Sequence, residues 1–505
     1  MFINEKRKPH LDPLTEVVGS VPVSNLSLLT DFYQLSMAYA YWKAGLDARK
    51  AVFHLFFRRP PFKGGFTIAC GLESVINFIE NFHIDDSDVE FLSTLKSSAG
   101  NPYFDIKFLK MLSQMKLTVS LDAVPEGTCV FPYEPLLRIE GPLMQCQLLE
   151  SPLLNLINFP TLIATKAARI CLAAQGDPVS EFGLRRAQGV DGALSASRSA
   201  YIGGCSSTSN VLAGKIFNIP LQGTITHSWV MAFDGEEEAF EAYAKIMPDS
   251  CVFLVDTYDT IAGIKTAIRV GKQMQKSGKK LMAVRLDSGD LAQLSIESRK
   301  LLDDAGFEDV KIIASNELDE TVISELKRQG AKISMWGVGT NLVTGKEQGA
   351  LDGVYKLSAL QDAEGKWRYT LKLSEQLAKV SNPGLHQIRR YFSAGVNLAD
   401  VIYDLETGIK NECVAVDPFD PTKVMKLDDT LEHRDLLVTV FSEGKKVYDS
   451  PPLEEIRKKT QSELASFPVG VKRFLNPHTY SVGMEQSLYE IKTQLIKKIR
   501  KASVK

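Results

Sequence analysis

Val252-Phe253-Leu254-Val255-Asp256, Met282-Ala283-Val284-Arg285-Leu286-Asp287 and Ile312-Ile313-Ala314-Ser315-Asn316 decide how this chain is read. Each is a short, β-branched apolar run that stops abruptly at polar residues, the pattern of a buried strand. Val179-Ser180-Glu181-Phe182-Gly183 and Gly223-Thr224-Ile225-Thr226-His227-Ser228 precede them, and Ile333-Ser334-Met335-Trp336-Gly337 and Val354-Tyr355-Lys356-Leu357 follow. The interval is 29 residues from His227 to Asp256, 31 from Asp256 to Asp287 and 28 from Asp287 to Ser315. Such intervals hold one strand, one helix and two loops. The intervening segments have helical periodicity. Ile261, Ile264, Ile268 and Gly271 share a face after the candidate cap Asp259-Thr260; Leu291, Leu294, Leu301 and Leu302 follow Asp290; Val322, Ile323 and Leu326 follow Asn316-Glu317, with Gly330 as the stop. The series predicts an irregular TIM-like α/β barrel over residues 151–364, with a doubly wound sheet as the alternative.

Outside that rhythm, residues 1–150 read as an N-terminal α+β domain, with a helix from Phe32 to Lys43 and the aromatic strand candidate Val52–Phe57. Residues 365–505 read as a mixed C-terminal region packed on the other two. It ends in a helix carrying Leu488, Ile491, Leu495 and Ile499, whose lysines (492, 497, 498, 501, 505) read as a solvated face or as contacts for an anion. The 505 residues are 44% hydrophobic and 24% charged with a net charge of −2, a globular composition that argues against coating nucleic acid. The start, Met1-Phe2-Ile3-Asn4-Glu5-Lys6-Arg7-Lys8, turns polar at once, and no apolar run reaches the roughly 18 residues of a membrane span. The seven cysteines are scattered without a CxxC pair, and the seven histidines contain no HxxxH or HxH. A cytoplasmic protein without a membrane segment, disulfide framework or structural zinc is the natural expectation.

In a barrel the chemistry sits where strands end. Those positions are Glu181, Arg185, Arg186, Thr224, His227, Asp256, Arg285, Asp287, Asp290, Asn316, Gly337, Gly339 and Thr340, a set rich in both signs of charge. His227 is either a satisfied strand-end histidine or a nucleophile or acid/base group. Asp287-Ser288-Gly289-Asp290 places two carboxylates three apart, suited to Mg²⁺ or a vicinal diol, while Asp290 equally suits a helix N-cap. Arg285 lies two before Asp287 and shares its strand face. Gly337-Val338-Gly339-Thr340 leaves backbone N–H groups open to a phosphate, as does Gly203–Asn210 unless it is simply a hydroxyl-rich cap. Arg185 and Arg186 suit bidentate anion binding, and Arg58–Gly65 is a second basic, glycine-containing loop. Lys356, in an apolar strand, raises the separate reading of a Schiff-base aldolase.

Leu29-Thr30-Asp31-Phe32-Tyr33-Gln34, the Phe57–Gly65 loop, Glu181–Arg186, Gly223–Ser228, Arg285 ahead of the Asp287–Asp290 turn, and Gly337–Thr340 occur in the order that resembles nicotinate phosphoribosyltransferases. The resemblance runs to about residue 360; Thr226 departs from the small apolar residue expected before the histidine. It implies the type II phosphoribosyltransferase fold and a homodimer with shared active sites. The implied reaction joins nicotinate to 5-phosphoribosyl-1-pyrophosphate, coupled to ATP hydrolysis through a phosphohistidine at His227. Tyr33 of a neighbouring subunit would stack on the pyridine ring, Thr224 and Arg285 would hold nicotinate, and Thr340 with Gly337 and Gly339 would take the 5-phosphate. Arg185, Arg186 and Mg²⁺ near Asp287 and Asp290 would receive the leaving pyrophosphate. A nicotinamide or quinolinate transferase, or a scaffold that lost turnover, are the competing expectations.

Overall fold

The computed structural model describes residues 25–410, 412–428 and 430–503. The start of the chain, Met1–Lys8, and Lys505 lie outside the described residues. The chain divides into two compact units: one from Ile163 to Gly349, the other formed by the described residues up to Leu162 with those from Ala350 onward.

The first unit contains the rhythmic segments. Val252–Leu254, Ala283–Leu286, Lys311–Ala314 and Met335–Val338 lie side by side in chain order, all parallel, and Val179–Glu181 and Ser207–Thr208 continue the sheet beyond Met335–Val338. Helices Thr260–Lys276, Leu291–Asp304 and Glu320–Arg328 form the crossovers. Their caps are Asp259, Asp290 and Asp319, each accepting from a backbone N–H of the first turn. Placing the first strand beside the last is how a barrel begins to close, and a doubly wound sheet does not do it. The described pairing remains an open half-barrel between Ser207–Thr208 and Val252–Leu254. The expected strand at 223–228 is absent: after a single parallel bridge, Thr208 to Leu221, the chain runs as a loop into helix His227–Met231. Under the helices, Glu320 is ion-paired at 2.7 Å to both Lys166 and Arg169, all three almost fully buried. Removing one partner of such a group leaves a buried charge uncompensated.

The larger unit corrects the expectation of three successive domains. Gly353–Gln361, expected as the last barrel strand, pairs antiparallel with Lys50–Phe57 in a seven-stranded sheet. Val438–Ser442, from the C-terminal region, closes on Ser120–Ala123 of the same sheet. Local pattern identified the strands at Val52–Phe57 and Val354–Leu357 but could not identify partners some 300 residues away, and it did not single out Val438–Ser442. Lys356 therefore lies outside the parallel sheet; burial draws its ammonium down, as the aldolase reading expects, and that ammonium donates to Tyr355 O at 2.7 Å, apart from the strand ends where the other candidate residues lie. A second sheet of six strands contains His386–Ser393, Val396–Asp404 and Ser481–Glu485. Arg390, completely buried, is held by Asp400 and Glu463. All seven cysteines are free. Among the described residues one helix, Glu150–Ala173, is long and apolar enough to cross a membrane, and 72% of its apolar window is buried in the protein.

The seven-stranded and six-stranded sheets of this unit meet at His54 and His386, whose rings stack 4.0 Å apart. His386 N–H donates to His54 Nε2 at 3.1 Å, and the His386 ring meets Pro383 O at 2.9 Å. Burial, reinforced by the second ring and by Arg138, pushes His54 well below the usual histidine range; burial holds His386 at about 4. Both are neutral when folded, while the unfolded chain takes up protons below about pH 6.5. Stability is thus nearly unaffected by the pair above that pH and falls as pH drops toward 4, by up to about 3 kcal/mol at pH 5.5. Urea unfolding at pH 7.0 and 5.5 should show this loss. His54→Gln, which keeps an acceptor for His386 N–H, should remove roughly half of it.

Candidate active site

At the C-terminal ends of the parallel strands, the side chains converge on Arg285. Its Nε donates to Ser315 Oγ at 2.8 Å, one terminal nitrogen to Thr224 Oγ1 at 2.8 Å, and the other to Asp287 Oδ1 at 3.0 Å. Its guanidinium carbon lies 5.9 Å from the Phe182 ring centroid. Three of the five N–H donors are spent, leaving one on each terminal nitrogen, the arrangement that receives a carboxylate in two-point contact. Arg285 and Asp287 meet because alternate residues of one strand share a face. Gly337 makes room for the Phe182 ring, since a Cβ there would sit 2.6 Å from it.

Asp287 is the hub. Oδ1 also accepts from Ser315 Oγ, and Oδ2 lies 3.8 Å from His227 Nε2. The backbone N–H of Asp287 and the hydroxyl of Ser288 donate to Asp256 Oδ2 at 2.9 and 2.6 Å. Gly289, at φ +78, turns the chain from Asp287 into the capped helix. His227 begins its own short helix, 42% exposed, with Nδ1 3.2 Å from Thr257 Oγ1. Both ring nitrogens thus face oxygen atoms, and the imidazole stays open to an incoming group.

The structure therefore brings together Thr224, His227, Asp256, Arg285 and Asp287. Asp290 goes to the capping alternative, its Oδ1 accepting from Gln293 N–H at 3.1 Å. Glu181 is fully buried and structural: it accepts from Gly183 N–H, Ser197 Oγ and Thr208 Oγ1, fixing the turn that leads to Arg185 and Arg186. Those two arginines are exposed on the turn Leu184–Arg186. Gly339 caps helix Thr340–Val343, whose first N–H groups have no partner within the helix. Asn316 turns outward at φ +88. Asn210 caps the helix after Gly203–Asn210, which settles that segment as a cap. In the larger unit, Tyr33 lies in the first turn of helix Phe32–Lys43, 49% exposed, its phenol pushed up by burial, Glu150 and Asp31.

Ser315, Thr257 and Glu236 were not singled out by sequence. Small hydroxyl residues carry no periodic signal, and Glu236 stands in an acidic helix start, Glu236-Glu237-Glu238, that reads as ordinary dipole compensation. Burial, with Asp256 and Asp259, pushes Glu236 up to about 7. Its Oε1 and Asp256 Oδ1 are buried with no hydrogen-bond donor. Among the described residues no three histidine, cysteine or acidic side chains gather to hold a metal.

Models of nicotinate phosphoribosyltransferase match the chain as an N-terminal domain over residues 28–158, the family core over 178–372 and a C-terminal domain over 385–492. The chain is 42% identical to nicotinate phosphoribosyltransferase of Bacillus subtilis over 484 residues, covering 94% of this chain and 96% of that protein. It is 34% identical to the human nicotinate phosphoribosyltransferase over 525 residues, 93% and 96% of the two. The crystal structure of human nicotinic acid phosphoribosyltransferase superposes with a TM-score of 0.80 at 31% identity, covering 92% of this chain and 99% of that one. A nicotinate-nucleotide pyrophosphorylase from Pyrococcus furiosus shares the fold, with a TM-score of 0.67 at 22% identity over 87% of this chain and 95% of that one.

Proposed function

The chain belongs to the nicotinate phosphoribosyltransferase family, and we propose that it makes nicotinate mononucleotide for NAD salvage with ATP hydrolysis coupled through His227. The pyridine nitrogen of nicotinate attacks the anomeric carbon of 5-phosphoribosyl-1-pyrophosphate, the carbon–oxygen bond breaks, and pyrophosphate leaves. The observation that carries this reading is Arg285, locked by Thr224, Ser315 and Asp287 with two N–H donors left for the carboxylate of the ring. Asp287 already pairs with one side of the guanidinium; a neutral carboxamide would give its two remaining donors a weaker, uncharged acceptor, which favours nicotinate over nicotinamide.

Asp287, close to both Arg285 and His227, places carboxylate charge where the anomeric carbon gains oxocarbenium character. Exposed Arg185 and Arg186 offer cations to the departing pyrophosphate, and the open N–H groups at Thr340 suit the 5-phosphate. Asp256, through its donor-free Oδ1, and Asp287 would hold a magnesium ion here. Bound there, the ion neutralises phosphate charge. The γ-phosphoryl group of ATP passes to the imidazole of His227 and then to water, so ADP and phosphate are released.

The half-barrel is, on this reading, the catalytic core of an irregular type II phosphoribosyltransferase barrel. The active site is completed in a cytoplasmic homodimer by Tyr33 of the partner subunit. Incubating the chain with nicotinate, phosphoribosyl pyrophosphate and Mg²⁺ should yield nicotinate mononucleotide by mass spectrometry, in larger amount with ATP. No product in either case overturns the reading. Equal product from nicotinamide overturns the assignment of Arg285 to the ring carboxylate; equal product from quinolinate overturns nicotinate as the preferred pyridine.

A further inference from the structure

We propose that a cavity within the larger unit, between the Pro60–Gly65 loop and the C-terminal strands, binds an aromatic anion of nucleoside-phosphate size, its ring against Tyr133 and Phe419 and its anionic group on Lys492. The cavity encloses about 800 Å³, within the range of small-molecule sites. Its floor is rigid: Phe131 and Tyr480 stack with centroids 4.2 Å apart. On the wall, Tyr133 and Phe419 meet at 5.0 Å and 56°, a tilted pair that presents an aromatic edge and face to the space. Tyr133 holds φ +70, a conformation that costs energy in a non-glycine residue and is found where side chains clamp ligands.

The charge around this space is unbalanced. Lys492, on the C-terminal helix Gln486–Ser503, donates to the neutral Asn382 Oδ1 at 2.8 Å, which occupies one of its three N–H donors. Burial alone draws its ammonium down to about 8, with no carboxylate opposing the shift. A desolvated ammonium with donors to spare gains most from an anion. Arg58 and Arg59 add positive charge beside Tyr133, and Arg58 Nε is buried without an acceptor. The acidic groups nearby are already engaged: Asp417 Oδ1 accepts the N–H groups of Phe419 and Asp420, and Asp420 faces Lys423. Of the lysines on the terminal helix that the sequence left between solvent and an anion, Lys492 is the one that lines this cavity.

The test uses the full chain and reads Lys492 itself. At pH 8 an amine-acylating reagent should label Lys492, quantified on its peptide by mass spectrometry. AMP should slow that labelling about tenfold, the protection expected at roughly ten times Kd. Adenosine and inorganic phosphate, each lacking one half of the recognition, should give little protection. Phe419→Ala, a change at an exposed ring, should weaken AMP protection while leaving unliganded labelling unchanged. Unchanged labelling with AMP, or full protection in Phe419→Ala, overturns the proposal; phosphate protecting as well as AMP overturns its aromatic half. Calorimetry gives a readout that does not need lysine reactivity. Lys492→Met should lose one class of AMP site with turnover of nicotinate unchanged, and isotherms identical to the parent protein overturn the site.

Discussion

Arg285→Met is expected to raise the KM for nicotinate by about 10²-fold or more, while the much weaker use of nicotinamide changes little. Hydrogen bonds to a charged partner contribute about 1.5–3 kcal/mol each, and two-point contact makes the pair of remaining N–H donors worth at least tenfold apiece. Among the described residues the guanidinium is also the one permanent cation within ion-pair distance of Asp287, whose other oxygen lies 3.8 Å from the His227 ring. Its removal leaves that carboxylate facing the substrate's own carboxylate, so the loss exceeds that of two hydrogen bonds. Arg285→Lys should not rescue, because one ammonium cannot reach Ser315, Thr224 and Asp287 together and still present two parallel donors. Steady-state kinetics with both pyridines decides the matter. If nicotinate and nicotinamide lose equally, Arg285 supports the pocket without reading the carboxylate.

The same residue shows how far sequence carries. Four parallel strands, the caps Asp259 and Asp290, and the shared face of Arg285 and Asp287 are properties of a few consecutive residues, and these were legible. Gly223–Ser228 has the alternation of a strand, yet it joins no ladder: the isolated Thr208–Leu221 bridge ends just before it. A strand needs a neighbour's ladder, which no local pattern records. Gly353–Gln361 is a strand as expected, but its partner Lys50–Phe57 lies some 300 residues earlier and both belong to the larger unit, so the reading of domains by order along the chain failed there. Within the site, charged residues at strand ends were visible by type. Ser315 and Thr257, which decide the orientation of Arg285 and His227, were not, because small hydroxyl residues occur everywhere in loops. Asp290 illustrates the reverse: the same carboxylate satisfied a metal pattern and a capping pattern, and the helix behind it claimed at least one oxygen.

His227→Ala is expected to abolish both ATP stimulation and acid-labile labelling from γ-phosphate-labelled ATP, leaving only ATP-independent turnover. The imidazole is exposed enough to meet ATP, and its two nitrogens are steadied by Thr257 and Asp287. A phosphoryl group there adds about −1.5 to −2 charges, directly beside the Asp287 carboxylate. That repulsion must be offset by cations: Arg285 already stands beside Asp287, and the exposed Arg185 and Arg186 are the strand-end cations able to reorganise around it. Phosphorylation would thereby tighten the same groups that receive pyrophosphate and nicotinate, which is how hydrolysis can draw the equilibrium toward product. Thr257→Val, which removes the contact to Nδ1 and keeps the shape, should retain labelling but slow it by about tenfold, the cost of one lost hydrogen bond of about 1 kcal/mol or slightly more. Rapid-quench measurement of labelled protein separates the two variants. Persistence of label and stimulation in His227→Ala would remove the histidine from the coupling and place the phosphoryl acceptor elsewhere in the site.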